Sequence, residues 1–320
     1  MTMQTTHAPV RPFLDWPVAT NPRAQTTQVA LLGLPHSEPY PGNTYPNDQA
    51  RAPDAIRWQS GQFCDGKEHW DFDLGAELAS VLPPHCVDYG NMPWTKGSYD
   101  EHASLVTELL ASLWGDGAQV FILGGDHGVT IPALDALAVL QAPVHILHID
   151  AHLDWRAEVG GVRRGYSSPL RWASEKPWIS GMTQIGMRGT GSARREEFAA
   201  AEEYGSRIFT AQQIHSAGIE PVLDTIPKGA AVYITVDADG LDPSGMPGVL
   251  APSPGGLRFD QIAPLLRAVS RRCKVVGMDV VEVAPSFDAS NAVTCITAGR
   301  MILNVLGSSW GTGGAYNQYK

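Results

Sequence analysis

The stretch His148-Ile149-Asp150-Ala151-His152-Leu153-Asp154 decides how the rest of the chain is interpreted. It follows an apolar run at 144–147 that is typical of a buried strand. Because side chains two positions apart in an extended segment point the same way, Asp150, His152 and Asp154 can converge on one point. Carboxylate oxygens together with imidazole nitrogen suit a divalent metal such as manganese, nickel, zinc or iron. The spacing predicts a metal site; the alternative is a polar strand end without a metal.

Two further stretches end in the same kinds of side chain. Gly124-Gly125-Asp126-His127 follows an apolar run at 120–123, and Asp237-Ala238-Asp239 follows the run at 232–236. Open parallel sheets build their sites at the carboxyl ends of their strands. Three such strand ends favour two metals that share bridging carboxylates over three unrelated polar ends. The six candidate ligands are His127, Asp150, His152, Asp154, Asp237 and Asp239.

Strands alternate with helices along the chain of 320 residues, and this alternation predicts one doubly wound, mainly parallel α/β sheet. Strands are predicted at 29–34, 86–88, 119–123, 144–147, 184–188, 207–209, 232–236 and 275–280. One helix is predicted to begin at about residue 53. Further helices are predicted at 102–113, 129–140, 193–204, 211–216, 259–271 and 291–306. Residues 1–27 are predicted to form an N-terminal arm that lies across a neighbour or is a floppy tail, and residues 28–320 a single domain.

Charge and cysteine content narrow the function classes. A net charge of −10 argues against nucleic-acid binding and gives no support for an anionic membrane surface. The four cysteines form no CxxC pair, which suits a reducing cytoplasm. The first 24 residues contain no apolar signal segment, and no apolar run approaches the roughly 18 residues of a membrane span. We therefore expect a soluble, cytoplasmic protein with no membrane partner.

Four motifs, in this order, resemble the ureohydrolase family of arginases and agmatinases. They are GGDH at 124–127, DAHLD at 150–154, DADGLDP at 237–243 and, resembling the agmatinase branch, VVEVAP at 280–285. The resemblance extends from about residue 29 to about residue 307. It implies a three-layer α/β/α arginase-like domain with two divalent metal ions, Mn²⁺ or Ni²⁺. It also implies hydrolysis of a guanidino C–N bond, which releases urea or a urea derivative and an amine, in a trimer or hexamer that is homomeric or contains a paralogous subunit.

The resemblance also assigns roles to individual residues. It places Asp150 and Asp237 as bridging ligands that also act in catalysis, and Glu282 as the acid that orients the guanidinium. One metal would take His127, Asp150, Asp154 and Asp237, and the other Asp150, His152, Asp237 and Asp239. The long loop at 35–48 corresponds to a family loop near the mouth of the active site. Its His36, Tyr40 and Asn43 are therefore candidate substrate contacts, with a surface loop that binds nothing as the alternative.

Tyr166 is the one marked departure from the family pattern. The alignment makes it a candidate catalytic residue beside the leaving nitrogen, with a role that only shapes the pocket wall as the alternative. Many agmatinase relatives carry a histidine in an HGTPFRRA-like segment, thought to pass a proton to the leaving amine, whereas this chain has YSSPLRWA at 166–173. A phenol with a pKa of about 10 shuttles protons less well near neutral pH than an imidazole with a pKa of about 6.5. We therefore predict a small or alkylated guanidine, or a biguanide such as metformin, ahead of arginine or agmatine.

Two other functions stay open at this stage. The chain could be a non-catalytic subunit of a hetero-oligomeric ureohydrolase, although loss of metal ligands would be expected in that case and none is lost. It could also be a deacetylase of the same fold, but such enzymes hold one zinc ion and lack the paired D-x-D ending. Asp126, Asp242 and Asp279 are predicted to brace the site, with direct chemistry, such as acceptance of a proton by Asp242, as the alternative.

Overall fold

An eight-stranded parallel sheet runs through the centre of the molecule. The computed structural model describes residues 6–21, 26–45, 47–64, 68–190, 193–312 and 314. The strands of this sheet are β1 (Val29–Leu34), β4 (Cys86–Asn91), β5 (Gln119–Gly124), β6 (Val144–Ile149), β7 (Ile179–Met187), β8 (Arg207–Thr210), β9 (Ala231–Asp237) and β10 (Lys274–Val281). Their order is β4-β1-β5-β10-β9-β6-β7-β8, and every neighbouring pair is parallel. A separate two-stranded hairpin joins β2 (Trp70–Asp71) to β3 (Ala76–Glu77).

Ten helices connect and cover the strands in the part of the chain that the structure describes. They are α1 (Ala52–Cys64), α2 (Leu78–Val81), α3 (Tyr99–Gly115), α4 (Thr130–Ala136), α5 (Pro169–Ser174), α6 (Arg195–Tyr204), α7 (Ala211–Ala217), α8 (Glu220–Leu223), α9 (Phe259–Arg272) and α10 (Val293–Trp310). Within the described residues, no helix combines the length and the apolar character that crossing a membrane would need.

The two faces of the sheet pack into separate hydrophobic cores. Along β1, Leu31 points into the core shared with α1, α9 and α10, whereas Ala30 and Leu32 point into the core shared with α3 and α4. This alternation follows from the two-residue period of a strand, and burial on both faces explains why the strands are continuously apolar. Helices on both faces of a parallel sheet confirm the predicted three-layer α/β/α fold.

The N-terminal segment does not lie apart from the domain in its described part. Phe13 and Leu14 are fully buried in the core that contains α1 and α10. His7 pairs with Asn91 and Val18 with Asp88, so the segment runs along the edge strand β4. The structure thus corrects the prediction of an arm for residues 6–21, because the aromatic and aliphatic side chains at 13–16 have an apolar surface of their own chain to cover. The domain boundary at residue 27 stays a prediction.

The strands that carry the predicted ligands are neighbours in the centre of the sheet. The order β5-β10-β9-β6 brings four carboxyl ends side by side, although β5 and β10 are far apart in the sequence. The chain can turn sharply there because glycine, which has no side chain, occupies the positions where a Cβ would clash. A Cβ at Gly125 would lie 1.9 Å from the carbonyl oxygen of His36, and a Cβ at Gly240 would lie 2.7 Å from the backbone nitrogen of Asp150.

Candidate active site

The predicted ligands converge at the carboxyl ends of β5, β6 and β9. His127 Nδ1 lies 2.9 Å from Asp154 Oδ2, and 3.4 Å from both Asp150 Oδ2 and Asp237 Oδ2. His152 Nδ1 lies 3.1 Å from Asp239 Oδ2 and 3.4 Å from Asp150 Oδ1. The two oxygens of Asp150 therefore face different histidines. This is the arrangement that a carboxylate bridging two cations requires.

Local backbone contacts aim these side chains. Asp150 Oδ1 accepts a hydrogen bond from the backbone N–H of His152 at 2.6 Å, and Asp237 Oδ1 accepts one from that of Asp239 at 2.8 Å. Aspartate favours such contacts two residues along the chain, so each strand ends in a turn that its own carboxylate stabilises. Asp154 adopts a φ of 51°, a left-handed conformation that aspartate tolerates better than most residues.

The buried charges at this site call for a cation. Asp150, Asp154, Asp237 and Asp239 are all almost fully buried, and unpaired carboxylates are costly in such surroundings. Burial and the neighbouring carboxylates raise the pKa of Asp237 well above its usual value, and also raise the pKa of Asp154 and Asp239. Burial lowers the pKa of His152, but hydrogen bonds to Asp150 and Asp239 outweigh it and raise this pKa to about 12.

Two ligand atoms have no hydrogen-bond partner of their own. His127 Nδ1 and Asp154 Oδ2 are buried without one, although they lie 2.9 Å apart. A shared cation would satisfy both atoms at once. The donor set, imidazole nitrogen with several carboxylate oxygens, fits a divalent ion such as manganese or nickel. The residues present therefore fit a metal centre.

A polar network fixes the ring of His127 from behind. Thr235 Oγ1 lies 3.0 Å from His127 Nε2 and donates its hydrogen to Asp279 Oδ1 at 2.6 Å. Because that hydroxyl hydrogen is already used, Thr235 accepts from the Nε2–H of His127, which leaves Nδ1 unprotonated on the side of the carboxylates. Asp279 also accepts from Thr130 at 2.9 Å and from the Tyr233 hydroxyl at 2.7 Å. This is the bracing position predicted for Asp279.

His148 belongs to the site as well, and the sequence analysis missed it. Its Nε2 lies 2.8 Å from Asp150 Oδ2, and Gln184 Nε2 approaches its Nδ1 at 3.0 Å. Since the amide of Gln184 donates, the hydrogen of His148 is on Nε2 and points at Asp150. Although its ring nitrogen lies within reach of a metal held by His127, Asp150 and Asp154, this bonding makes His148 a brace for Asp150. Its position two residues before Asp150, on the same side of the strand, was the available signal.

Glu282 directly follows the last residue of β10 and lies beside the candidate metal ligands. Its φ of 64° is left-handed, and its backbone N–H donates to the Gly125 carbonyl at 2.8 Å. Oε1 accepts the backbone N–H of His127 at 2.8 Å, and Oε2 accepts a hydrogen bond from Gln49 Nε2. Burial, with the nearby charge of Asp126, raises the pKa of Glu282 well above its usual value.

A cavity of about 490 Å³ opens onto these carboxylates. Of the predicted residues, Asn43 and Tyr166 line it together with Glu282 and four of the six ligands. The full lining consists of Pro39, Asn43, Tyr45, Asn47, Gln49, His152, Asp154, Tyr166, Ser167, Asp237, Asp239, Leu250, Ala251, Glu282 and Phe287.

Tyr40 and His36, the other two predicted substrate contacts, do not line this cavity. The Tyr40 hydroxyl accepts the backbone N–H of Ser167 at 2.9 Å, and its ring packs on Tyr166 with centroids 4.2 Å apart. Glycine at position 165 makes room, because a Cβ there would lie 2.4 Å from the Tyr40 ring. His36 is 3% exposed, and its ring packs against Trp94 and other aromatic side chains behind the site. The loop uses both residues for its own packing, and that they contact substrate stays a prediction.

Asp126 and Asp242 occupy bracing positions. Asp126 accepts the backbone N–H groups of Gly128 at 2.9 Å and Glu38 at 2.7 Å, so it joins the GGDH turn to the loop at 35–48. Asp242 accepts hydrogen bonds from both the backbone and the hydroxyl of Ser244. The hydroxyl contact is the main cause that lowers the pKa of Asp242. Neither carboxylate lines the cavity.

Comparison with known proteins identifies the family. The sequence model of the arginase family matches residues 27–307, and the chain therefore belongs to the arginase family. It is a hydrolase of guanidino C–N bonds, as the resemblance of its motifs implied. This membership confirms the resemblance that the four motifs indicated.

Individual relatives are moderately similar over most of their length. The chain is 31% identical to proclavaminate amidinohydrolase of Streptomyces clavuligerus, over 91% of this chain and 90% of that protein. It is 36% identical to an N(1)-aminopropylagmatine ureohydrolase of Thermus thermophilus, over 80% and 83% of the two chains. The solved structure of the Streptomyces clavuligerus proclavaminate enzyme superposes with a TM-score of 0.80 and 29% identity, covering 94% of this chain and 97% of that one.

Proposed function

We propose that this protein uses two divalent metal ions, held by His127, Asp150, His152, Asp154, Asp237 and Asp239, to hydrolyse a small or alkylated guanidine. The observation that carries the proposal is the geometry of Asp150, whose two oxygens lie 3.4 Å from His127 Nδ1 and 3.4 Å from His152 Nδ1. Two cations bound there would supply a nucleophile from water at neutral pH. Mn²⁺ and Ni²⁺ are the candidate ions.

Glu282 would hold the guanidinium in this mechanism. Each carboxylate oxygen has two acceptor positions, and one on each is occupied by a protein donor, from His127 or Gln49. One position on each oxygen remains for the two parallel N–H groups of a guanidinium, which is the arrangement in which a carboxylate binds that planar cation most strongly. Asp150 and Asp237 would place the attacking water by holding both ions.

Tyr166 forms part of the cavity wall in this proposal. Burial raises the pKa of its phenol, so the group stays neutral near neutral pH and is a poor proton acceptor. Its ring packs on Tyr40 and lines the cavity together with Asn43. We propose that Tyr166 selects compact substrates and contributes little to proton transfer.

The composition of the cavity wall supports the choice of substrate. Among its described lining residues there is no lysine or arginine to receive a substrate carboxylate, and no carboxylate beyond the metal candidates and Glu282 to receive a distal ammonium. The rim instead presents Tyr45, Phe287 and Leu250. Apolar side chains suit an alkylated guanidine or a biguanide such as metformin better than arginine or agmatine.

The alternative is a non-catalytic subunit of a hetero-oligomeric ureohydrolase. The presence of all six candidate ligands in one cluster, four of which line the cavity, favours an active subunit. We further propose a cytoplasmic trimer or hexamer, homomeric or with a paralogous subunit. Mass measurement of the native assembly, from cells that express this chain alone, would show whether it assembles without a partner.

The direct test of function is a product-release screen. Purified protein is stripped of metal, reloaded separately with Mn²⁺ and Ni²⁺, and incubated with a panel of guanidines and biguanides. Both urea and the released amine are measured, because a biguanide yields a urea derivative and not urea itself. We expect metal-dependent release from a compact or alkylated member and weaker release from agmatine. If the metal-loaded protein released neither product from any compound, it would not be a catalytic subunit acting alone.

A further inference from the structure

Gln49 is a buried polar residue that the family motifs do not single out, and it touches the carboxylate on which the proposed chemistry depends. It begins the short 3₁₀ turn Gln49–Arg51 before α1 and is 1% exposed. Its side chain lines the cavity. Beside it in the cavity wall, Glu282 accepts a hydrogen bond at Oε2 from the amide Nε2 of Gln49.

A one-way chain of hydrogen bonds fixes the orientation of the Gln49 amide. Asn47 Nδ2 donates to Ser37 Oγ at 2.5 Å, and the Ser37 hydroxyl donates to Gln49 Oε1 at 2.9 Å. Because Ser37 supplies its hydrogen to the amide oxygen, the NH₂ end of Gln49 must face Glu282. The opposite orientation would set a carbonyl oxygen against a carboxylate oxygen and leave both without a donor.

We infer that Gln49 is the positioning residue that sets the plane of the Glu282 carboxylate for guanidinium binding, an inference that rests on the proposed function. The backbone N–H of His127 holds Oε1 at 2.8 Å and Gln49 holds Oε2, so the carboxylate is fixed at both oxygens. The remaining acceptor positions then face the cavity as a matched pair. Without Gln49, Glu282 keeps one contact and is free to rotate, and it would meet a guanidinium through one oxygen at a time.

The same contact joins substrate recognition to the loop at 35–48. Ser37 and Asn47 belong to that loop, and Asp126 holds it through the backbone N–H of Glu38 at 2.7 Å. A shift of the loop would therefore move Gln49 and, through it, the Glu282 carboxylate. Since its side chain also occupies the cavity wall beside Glu282, it limits the bulk that a substrate can carry on the nitrogens nearest that carboxylate.

The test compares Gln49→Met, which keeps the volume but removes the donor, with Gln49→Ala and Gln49→Glu. Matched controls are Gln62→Met and Gln62→Ala on the exposed face of α1, where Gln62 Nε2 donates to Gln59 Oε1. Calorimetric titration with guanidinium chloride, with urea assayed afterwards to show that none has been released, gives the guanidinium Kd. Steady-state kinetics on the best substrate gives KM and kcat. Metal content and Tm are recorded for every variant, so that loss of fold or metal is recognised.

For each Gln49 variant that retains metal and Tm, we expect the guanidinium Kd and the KM to rise together by about 10- to 100-fold, the cost of one hydrogen bond to a charged group. The kcat should fall by a smaller factor, and the Gln62 variants should match the wild type. Unchanged guanidinium affinity in Gln49→Met, with wild-type metal content, would overturn the inference. If the wild-type protein bound no guanidinium and hydrolysed no guanidine, the proposed function itself would fail, which is a separate outcome.

Discussion

At the scale of single residues, the site depends on side chains that bond to the protein through one edge and present the other edge to the candidate metal site or the cavity. Thr235 holds Nε2 of His127 and leaves Nδ1 facing the carboxylates. Glu282 likewise accepts protein hydrogen bonds on one side of its carboxylate and faces the cavity on the other. A substitution that preserves shape but changes donors and acceptors is therefore the sharpest probe of each residue.

Glu282→Gln should raise KM strongly and also lower kcat. The amide presents one acceptor and one donor group to a guanidinium that only donates, so one of the two parallel hydrogen bonds is lost. We expect kcat/KM to fall by about 10- to 100-fold. Glu202→Gln on the exposed surface of α6 is the matched control. An unchanged kcat/KM would remove Glu282 from the guanidinium site.

Tyr166→Phe separates proton handling from cavity shape, because it removes only the hydroxyl. We expect kcat to fall by less than about tenfold, which corresponds to roughly 1.4 kcal/mol of barrier. Tyr166→His should change substrate preference more and increase hydrolysis of agmatine. Steady-state kinetics on agmatine and on an alkylated guanidine measures both effects. A loss of several hundredfold in Tyr166→Phe, with metal bound normally, would mean that the phenol transfers the proton.

At the scale of elements, a buried ion pair ties α1 to the edge strand β4. Arg57 is 0% exposed, and its Nε and Nη2 donate to the two oxygens of Asp88 at 2.9 Å each. Asp88 also accepts the backbone N–H of Phe13 at 2.9 Å, so the pair anchors the N-terminal segment as well. Arg57→Ala would leave Asp88 buried without its partner.

We expect Arg57→Ala to lower the free energy of unfolding by about 3–5 kcal/mol, measured by urea denaturation monitored through tryptophan fluorescence. Arg51→Ala is the control, since the Arg51 side chain is 75% exposed and its Nη1 lies 3.6 Å from Asp48. Such an exposed pair contributes less than about 1 kcal/mol. Equal effects of the two substitutions would show that the buried pair does not anchor β4.

Elements with long apolar patterns were predictable from the sequence, and those held by tertiary contacts were not. The runs leading into Gly124, Ile149 and Asp237 identified β5, β6 and β9 and placed the polar residues at their ends. Helix α5 was missed because it spans only Pro169–Ser174 and begins on contacts with the Asp154 carbonyl. Gln49 carries no motif, so only the folded geometry, which sets it beside Glu282, reveals what it does. The spacing of His148 from Asp150 was a signal in the sequence, but its role as a brace follows from its contact with Asp150 in the fold.

At the scale of the whole molecule, the site exists only because the sheet order brings distant strand ends together. His127 and Asp239 are separated by more than a hundred positions, yet both contribute to one cluster with Asp150. Both residues should therefore be needed for turnover, whereas the two apolar cores should fold without them.

His127→Ala and Asp239→Ala should each empty one metal position. Loss of a group that only supports a metal ligand lowers activity by about 10- to 100-fold, so loss of a ligand itself should lower kcat by more than that. Far-ultraviolet circular dichroism should stay that of the wild type. Asp260→Ala is the control, because that side chain is 70% exposed on α9. Either ligand variant retaining near wild-type kcat, with its metal content measured, would contradict a site that needs both ions.

The most direct test of a binuclear centre is the metal content of the active protein, measured by plasma emission spectroscopy after reconstitution and removal of free ions. We predict two ions per chain at full activity, one ion per chain in Asp239→Ala, and a separation of about 3.5–4 Å between the two ions in a crystal structure of the loaded protein. One ion per chain with full activity would contradict the account.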